Sequence, residues 1–82
     1  MRLTVTFYGG LKQAVGARAQ TLELPHDSLT AGALKALLAE RYPALGPRLD
    51  AVACAVGDEL VGPDHPLGDG DQVALLPPVS GG

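Results

Sequence analysis

The sequence is poor in the residues on which several common protein functions depend. It contains a single cysteine, Cys54, and no tryptophan among its 82 residues. One cysteine excludes a disulfide within the chain, which is typical of proteins from a reducing compartment, so we expect a cytoplasmic location. Its two histidines, His26 and His65, are far apart and lack neighbouring ligand residues, so no metal site is predicted.

Basic residues and long apolar runs are also scarce. Six Lys and Arg against nine Asp and Glu give a formal net charge of −3, whereas a nucleic-acid-binding domain usually carries a basic patch. No apolar run reaches the length of a membrane span, so we expect neither nucleic acid nor a membrane as a partner. The hydrophobic content of 46% in 82 residues indicates one small globular domain.

The spacing of apolar residues predicts an α+β fold. Alternating residues predict strands at residues 2–8, 21–24, 52–56, 59–61 and 72–76. Helical spacing predicts a short helix over residues 11–15, and a main helix that starts after the N-cap Thr30 and ends at or before Tyr42. Residues 44–50 are interpreted as a turn and residues 62–70 as a loop. The expected architecture is a sheet of about five strands with one main helix packed across it.

The alternation also predicts which side chains lie on the open face of the sheet. If Val73 and Leu75 face the helix, Leu76 faces away from it, as Tyr8 does on the first strand. A β-grasp arrangement sets these two strands side by side, which brings Tyr8 and Leu76 together. Grouped apolar residues of this size favour a docking patch, and the alternative is scattered surface hydrophobic residues.

The last stretch of the sequence is Pro77-Pro78-Val79-Ser80-Gly81-Gly82. The prolines favour a stiff, extended chain, and the final glycines have no Cβ, so the tip can pass through a channel too narrow for side chains. The reactive group is then the carboxylate of Gly82. We therefore expect a domain at residues 1–76 and an extended tail at residues 77–82, with an inert, frayed end as the alternative.

Nearly the whole sequence, and most densely residues 55–82, resembles the MoaD family of molybdopterin synthase small subunits. The resemblance is carried by Ala55-Val56, Leu60-Val61, Asp64-His65-Pro66-Leu67, Gly70-Asp71, Val73-Ala74 and the tail, with Phe7-Tyr8, Leu11-Lys12, Val15-Gly16 and Arg41-Tyr42-Pro43 nearer the amino terminus. It implies a ubiquitin-like β-grasp fold and a sulfur carrier for molybdenum cofactor biosynthesis. It also implies that the chain is not an enzyme on its own.

The resemblance implies the following chemistry and partners. A MoeB-like enzyme uses ATP to adenylate the Gly82 carboxylate, and a sulfur donor system converts the adenylate into a thiocarboxylate. The sulfur then passes to cyclic pyranopterin monophosphate in the active site of a MoaE-like large subunit. The synthase is expected to contain two small and two large subunits, with no cofactor bound to the small one. The residues expected to thread the tip into the active site are Pro77, Pro78, Val79, Ser80 and Gly81.

In the family, a patch that corresponds to Tyr8, Leu60 and Leu76 contacts both the activating enzyme and the large subunit. Lys12 is a further contact by analogy, with a solvated lysine as the alternative. Where many members carry paired aromatic residues, this sequence has Leu75-Leu76, so aliphatic contacts are expected.

Three other functions stay open at this point. They are a ThiS-like carrier for thiamine synthesis or tRNA thiolation, a ubiquitin-like modifier conjugated through Gly82, and a binding module with an inert tail. The Pro-Pro-Val segment before Ser-Gly-Gly favours MoaD over ThiS. Cys54 is predicted to pack in the core and not to handle sulfur, while Asp69 and Asp71 are interpreted as turn residues and not as a cation site.

Overall fold

The computed structural model describes residues 1–78, with the side chains of Pro47 and Arg48 left out. Its strands are β1 (Arg2–Phe7), β2 (Ala19–Glu23), β3 (Leu29–Thr30), β4 (Ala53–Val56), β5 (Glu59–Val61), β6 (Pro66–Leu67) and β7 (Gln72–Leu76). Its helices are α1 (Leu11–Val15), α2 (Ala31–Arg41) and α3 (Gly46–Leu49), with a 3₁₀ helix at Pro43–Leu45.

The main sheet has five strands in the order β2-β1-β7-β4-β5. The first and last strands, β1 and β7, pair in parallel, and every other pair in this sheet is antiparallel. A parallel central pair, with one antiparallel strand on one side and two on the other and with one main helix packed against the sheet, is the ubiquitin-like β-grasp arrangement. The predicted fold class is therefore confirmed.

The core lies between α2 and one face of the sheet. Leu34 and Leu38 of α2 are fully buried, and so are Val5 and Leu75 from the two central strands. Their spacing of four residues on the helix and of two on the strands puts each set on one side of its element. Among the described residues, the interior is aliphatic apart from Cys54 and Phe7, and the Phe7 ring meets the Tyr42 ring edge-on with centroids 6.2 Å apart.

The start of α2 is held by its cap and by the loop between β5 and β6. The hydroxyl of Thr30 accepts a hydrogen bond from the Ala33 N–H at 3.1 Å, which confirms the predicted N-cap. The N–H of Ala31 donates to the His65 carbonyl and that of Gly32 to the Pro63 carbonyl, each at 2.9 Å. Three N–H groups without partners inside the helix are thus satisfied, and the loop is fixed over the helix start.

Two local interpretations were wrong. Residues 44–50 are not an open turn, because the 3₁₀ helix and α3 occupy most of this stretch. Pro43 opens the 3₁₀ helix, where its missing N–H costs no hydrogen bond, and Leu45 and Leu49 are buried. Residues 62–70 are not entirely loop, because β6 pairs with β3. These strands have two residues each, too few for alternation to be visible.

No helix within residues 1–78 is long and apolar enough to cross a bilayer.

Candidate docking surface and tail root

The central strand β7 divides its side chains between the two faces of the sheet. Val73 and Leu75 are 1% and 0% exposed and belong to the core, so Ala74 and Leu76 point to the opposite, open face. The register places Leu75 beside Phe7 on β1 and beside Cys54 on β4. The predicted parity of the last strand is therefore confirmed.

A shallow concave surface of about 330 Å³ lies on the open face. Small side chains form its floor, because Ala55 pairs with Ala74 on one side and with Leu60 on the other. Tyr8 and Leu60 stand at its rim with 49% and 67% of their surface exposed. We call this surface the docking patch, and its lining residues are Tyr8, Ala55, Gly57, Asp58, Leu60, Ala74 and Leu76.

The turn between β4 and β5 holds Leu60 at the rim. Val56 pairs with Glu59, which leaves Gly57 and Asp58 as a two-residue turn. Gly57 has φ of 64°, which such a hairpin turn requires at its first position, and its N–H donates to the Gln72 carbonyl at 3.1 Å. The exposed Asp58 places one carboxylate at this side of the docking patch.

The docking patch is the place where the described chain exposes its large apolar side chains. Tyr8 and Leu60 are the two exposed large hydrophobic residues within residues 1–78. Burying one leucine side chain stabilises a complex by about 2 kcal/mol. The isolated chain lacks this stabilisation because the side chain stays exposed to water. Grouped exposure of this kind is typical of a protein-binding surface.

Pro77 and Pro78 follow β7 and begin the tail, and we call these two residues the tail root. They lie beside the loop that follows β1. The Tyr8 N–H donates to the Leu75 carbonyl at 3.2 Å. Pro77 and Pro78 have no N–H, so they cannot donate to a continued ladder. Gly9 has φ of +57°, and a Cβ built on it would lie 2.9 Å from Cγ of Pro77. The loop backbone and the proline ring are therefore in direct contact.

An apolar groove of about 270 Å³ runs along the other side of the tail root. Its lining residues are Gly10, Leu11, Ala51, Val52, Pro77 and Pro78. Pro77 is partly buried and Pro78 is exposed, so the chain emerges from the body between these two residues. The chain thus leaves the sheet between the β1–α1 loop and the segment that precedes β4.

The structure brings together three of the predicted site residues, Tyr8, Leu60 and Leu76. Leu76 is only partly exposed, whereas Lys12 is exposed on α1 and does not line the docking patch. The predicted tail residues Val79, Ser80, Gly81 and Gly82 lie outside the described residues.

Two features of the site were missed at the sequence level. The alternation places Ala55 on the open face, but only the pairing of β4 with β5 and β7 shows it as the floor of the docking patch. The second missed feature is the contact of Gly9 with Pro77. The sequence signal that could have indicated this contact is the Gly-Gly pair directly after the first predicted strand, because that strand was expected to lie beside the last strand.

Cys54 is a core residue, as predicted, with 3% of its surface exposed. Burial raises the pKa of its thiol, and the nearby Lys35 ammonium lowers that pKa by less. The ammonium of Lys35 itself donates a hydrogen bond to the Val52 carbonyl. A buried thiol with a raised pKa is a poor nucleophile, so sulfur chemistry at Cys54 is disfavoured.

The two aspartates near β7 act on backbone groups. The Asp69 carboxylate accepts a hydrogen bond from the Arg2 N–H at 2.6 Å, and the Asp71 carboxylate accepts one from the Gly68 N–H at 2.7 Å. This geometry agrees with their interpretation as turn residues. It closes the loop at the end of the sheet opposite the tail root.

Comparisons with known proteins add the following similarities. A sequence model described as the ThiS family matches residues 5–82. The chain is 38% identical to the molybdopterin synthase sulfur carrier subunit of Escherichia coli (strain K12), with 98% of this chain and 99% of the relative covered. A chain in the protein-protein complex of subunits 1 and 2 of molybdopterin-converting factor from Helicobacter pylori 26695 is 31% identical, with a TM-score of 0.72 and full coverage of both chains. SAMP1 from Haloferax volcanii shares the fold, with a TM-score of 0.87 at 24% identity and full coverage of both chains.

Proposed function

The chain belongs to the ThiS family, and from this premise we propose that it is the sulfur carrier subunit of a molybdopterin synthase, as its relatives are named. One geometric observation supports the proposal independently of the names of the relatives. Strand β7 contributes Leu76 to the docking patch and leads directly into Pro77. A partner bound to the docking patch therefore lies next to the root of the tail.

Gly82 is the proposed site of the chemistry. A carboxylate at neutral pH is a poor acyl donor because it has no good leaving group. A MoeB-like enzyme would join the Gly82 carboxylate to the AMP part of ATP and release pyrophosphate. A sulfur nucleophile from the donor system would then displace AMP, which leaves a thiocarboxylate on Gly82.

The carrier's contribution to the next step is docking and reach. Tyr8, Leu60 and Leu76 would hold a MoaE-like large subunit, with Lys12 as a further contact on α1. The tail would then enter the large subunit, where the sulfur passes to cyclic pyranopterin monophosphate. The catalytic residues of this transfer are assigned to the large subunit, in an assembly of two small and two large subunits.

The proposal divides the chain at the end of β7. In this proposal, residues 1–76 form the β-grasp body and residues 77–82 form the tail. Gly81 and Gly82 are its narrow tip, because glycine has no side chain. No cofactor is assigned to the carrier itself, because ATP is consumed by the activating enzyme. The lone cysteine supports a cytoplasmic site of action, since reduced thiols are the rule there.

The first test is an intact mass measurement on the purified chain after incubation with ATP, a MoeB-like enzyme and a sulfur source. We expect the mass to rise by the exchange of one oxygen for sulfur. The control is a chain that lacks Gly82, in which the tip is retracted by about 3.5 Å. A misplacement of about 1 Å can cost on the order of a hundredfold in rate, so the control should gain no sulfur while it stays folded.

Each contrary outcome identifies a different function. No mass change with an enzyme proven active on another carrier would contradict the proposal and favour an inert tail. A thiocarboxylate that fails to deliver sulfur to cyclic pyranopterin monophosphate on a MoaE-like subunit would indicate a carrier for another pathway. Covalent adducts between Gly82 and lysines of other proteins would indicate a modifier.

A further inference from the structure

Gly9 and Pro77 meet where the two central strands end side by side. β1 ends at Phe7 and β7 at Leu76, and the Tyr8 N–H donates to the Leu75 carbonyl at 3.2 Å as the last hydrogen bond between them. Gly9 is exposed and belongs to neither the core nor the docking patch. Its contact with Pro77 therefore needs an explanation other than burial.

We propose that Gly9 is a positioning residue for the tail: it lets the Pro77 ring lie against the β1–α1 loop and so determines the direction in which the tail leaves the sheet. This inference rests on the proposed function, because that direction matters only if the tail must enter a partner.

Two independent constraints select glycine at this position. A Cβ on residue 9 would lie 2.9 Å from Cγ of Pro77, whereas carbon atoms pack at about 3.5–4.0 Å, so the ring would have to move by roughly 1 Å. The φ of +57° is also in the left-handed region, which other residues adopt only with strain.

A shift of the whole Pro77 ring redirects the chain that follows it, whereas a change of ring pucker moves only Cγ, the atom that a Cβ on residue 9 would meet. The φ of Pro77 itself is restricted to near −65°, and the residue before a proline is restricted to extended conformations. That residue, Leu76, is also paired with Ala53 in the sheet. A shift of the ring is therefore passed on to Pro78, which lines the apolar groove beside Val52.

The length of the tail amplifies such a shift. At about 3.5 Å per residue, the chain from Pro78 to Gly82 reaches at most roughly 17 Å from the root. A rotation at the root moves the tip further than it moves the ring, and about 1 Å at a reacting group can cost on the order of a hundredfold in rate. Gly9 can thus affect the reaction at Gly82 without contacting it.

The test compares Gly9→Ala with Gly16→Ala. Gly16 is a matched control because its φ of +87° imposes the same kind of strain, while a Cβ there would have no neighbour within 4 Å. With a MoeB-like enzyme and ATP, we expect Gly9→Ala to lower kcat for adenylation of Gly82 by at least about tenfold. KM should stay within about twofold of wild type, because the docking patch is unchanged, and Gly16→Ala should match wild type.

A second variant separates positioning from a general loss of structure. Pro77→Ala removes the Cγ atom that a Cβ on residue 9 would meet. In the Pro77→Ala background, Gly9→Ala should therefore lower kcat by less than about twofold. An equal loss of kcat in both backgrounds would overturn the positioning role.

The wild-type chain supplies a check that needs no variant. In its NMR spectrum, we expect nuclear Overhauser effects between the Gly9 α protons and the Pro77 ring protons, and their absence would overturn the inference. A wild-type chain that is not adenylated would overturn the proposed function and the inference with it. A wild-type chain that is adenylated, with Gly9→Ala equal to Gly16→Ala, would overturn the inference alone.

Discussion

At the scale of the residue, Cys54 shows how burial separates a thiol from sulfur chemistry. It pairs with Leu75 on one side and with Val61 on the other, on the face of the sheet that packs against α2. Desolvation there favours the neutral thiol. In the proposed reaction, the sulfur is accordingly assigned to Gly82 and not to the cysteine.

The raised pKa of Cys54 predicts how stability changes with pH. Below the ordinary thiol pKa of 9.0, the group is neutral in both the folded and the unfolded chain and adds no pH dependence. Above it, the unfolded chain loses the proton more readily than the folded chain, so the free energy of unfolding falls as pH rises. The slope from this group is at most about 1.4 kcal/mol per pH unit and ends once pH exceeds the folded-state pKa.

Urea unfolding at a series of pH values measures this slope. Above about pH 9, we expect the free energy of unfolding to fall more steeply for wild type than for Cys54→Ala, which keeps all other titrating groups. Parallel curves for the two proteins would show that burial does not raise the pKa of this thiol.

At the scale of the element, the start of α2 and the loop between β5 and β6 form one unit. The Gly32 N–H donates to the Pro63 carbonyl at 2.9 Å. A Cβ on Gly32 would lie 3.1 Å from Cβ of Pro63 and 3.2 Å from its carbonyl oxygen. A side chain at residue 32 would therefore require the loop to move away from the helix by a few tenths of an ångström.

Two glycine substitutions measure this close packing. Gly32→Ala and Gly46→Ala place the same methyl group in helices, but the one at Gly46 has no neighbour within 4 Å. Gly46→Ala should raise the free energy of unfolding by about 0.4–1 kcal/mol, since it restricts the unfolded chain. Gly32→Ala should lower it, because the loop must shift and strain its hydrogen bond. Equal stabilisation by both changes, measured by urea unfolding, would show that the loop yields freely.

At the scale of the whole molecule, the two faces of the sheet have different tasks. The inner face and α2 form the core, while the open face carries the docking patch and its central strand continues into the tail root. A change on the open face should therefore affect partner binding more than folding. Leu60 tests this best because 67% of its surface is exposed.

Leu60→Glu should weaken the complex with a MoaE-like subunit while the fold stays intact. Losing about 2 kcal/mol of leucine burial, at 1.4 kcal/mol per factor of ten, corresponds to at least about tenfold in Kd. Titration calorimetry measures Kd, and thermal unfolding checks the fold. Ala33→Glu adds the same charge at an exposed position of α2 and should leave Kd unchanged. Equal affinities for the two variants would remove Leu60 from the binding surface.

The sequence by itself determined the features that depend on neighbouring residues along the chain. Alternation in the last strand predicted the bounds of β7 and the faces of Leu75 and Leu76, because successive strand residues must point to opposite sides. Thr30 predicted the start of α2 because a hydroxyl there can satisfy an N–H three residues later. The candidate docking residues Tyr8 and Leu76 followed from the same parity once the two strands were placed side by side.

Only the tertiary structure decided the features that join distant parts of the chain. The pairing of β3 with β6, the floor that Ala55 forms and the contact of Gly9 with Pro77 all connect residues far apart in the sequence. A strand of two residues is too short to show the alternation of apolar and polar side chains. A hydrophobic pattern also does not indicate where a glycine allows another residue to approach closely. The contact of Gly9 with Pro77, for example, follows from the parallel pairing of β1 with β7, which ends the two strands side by side.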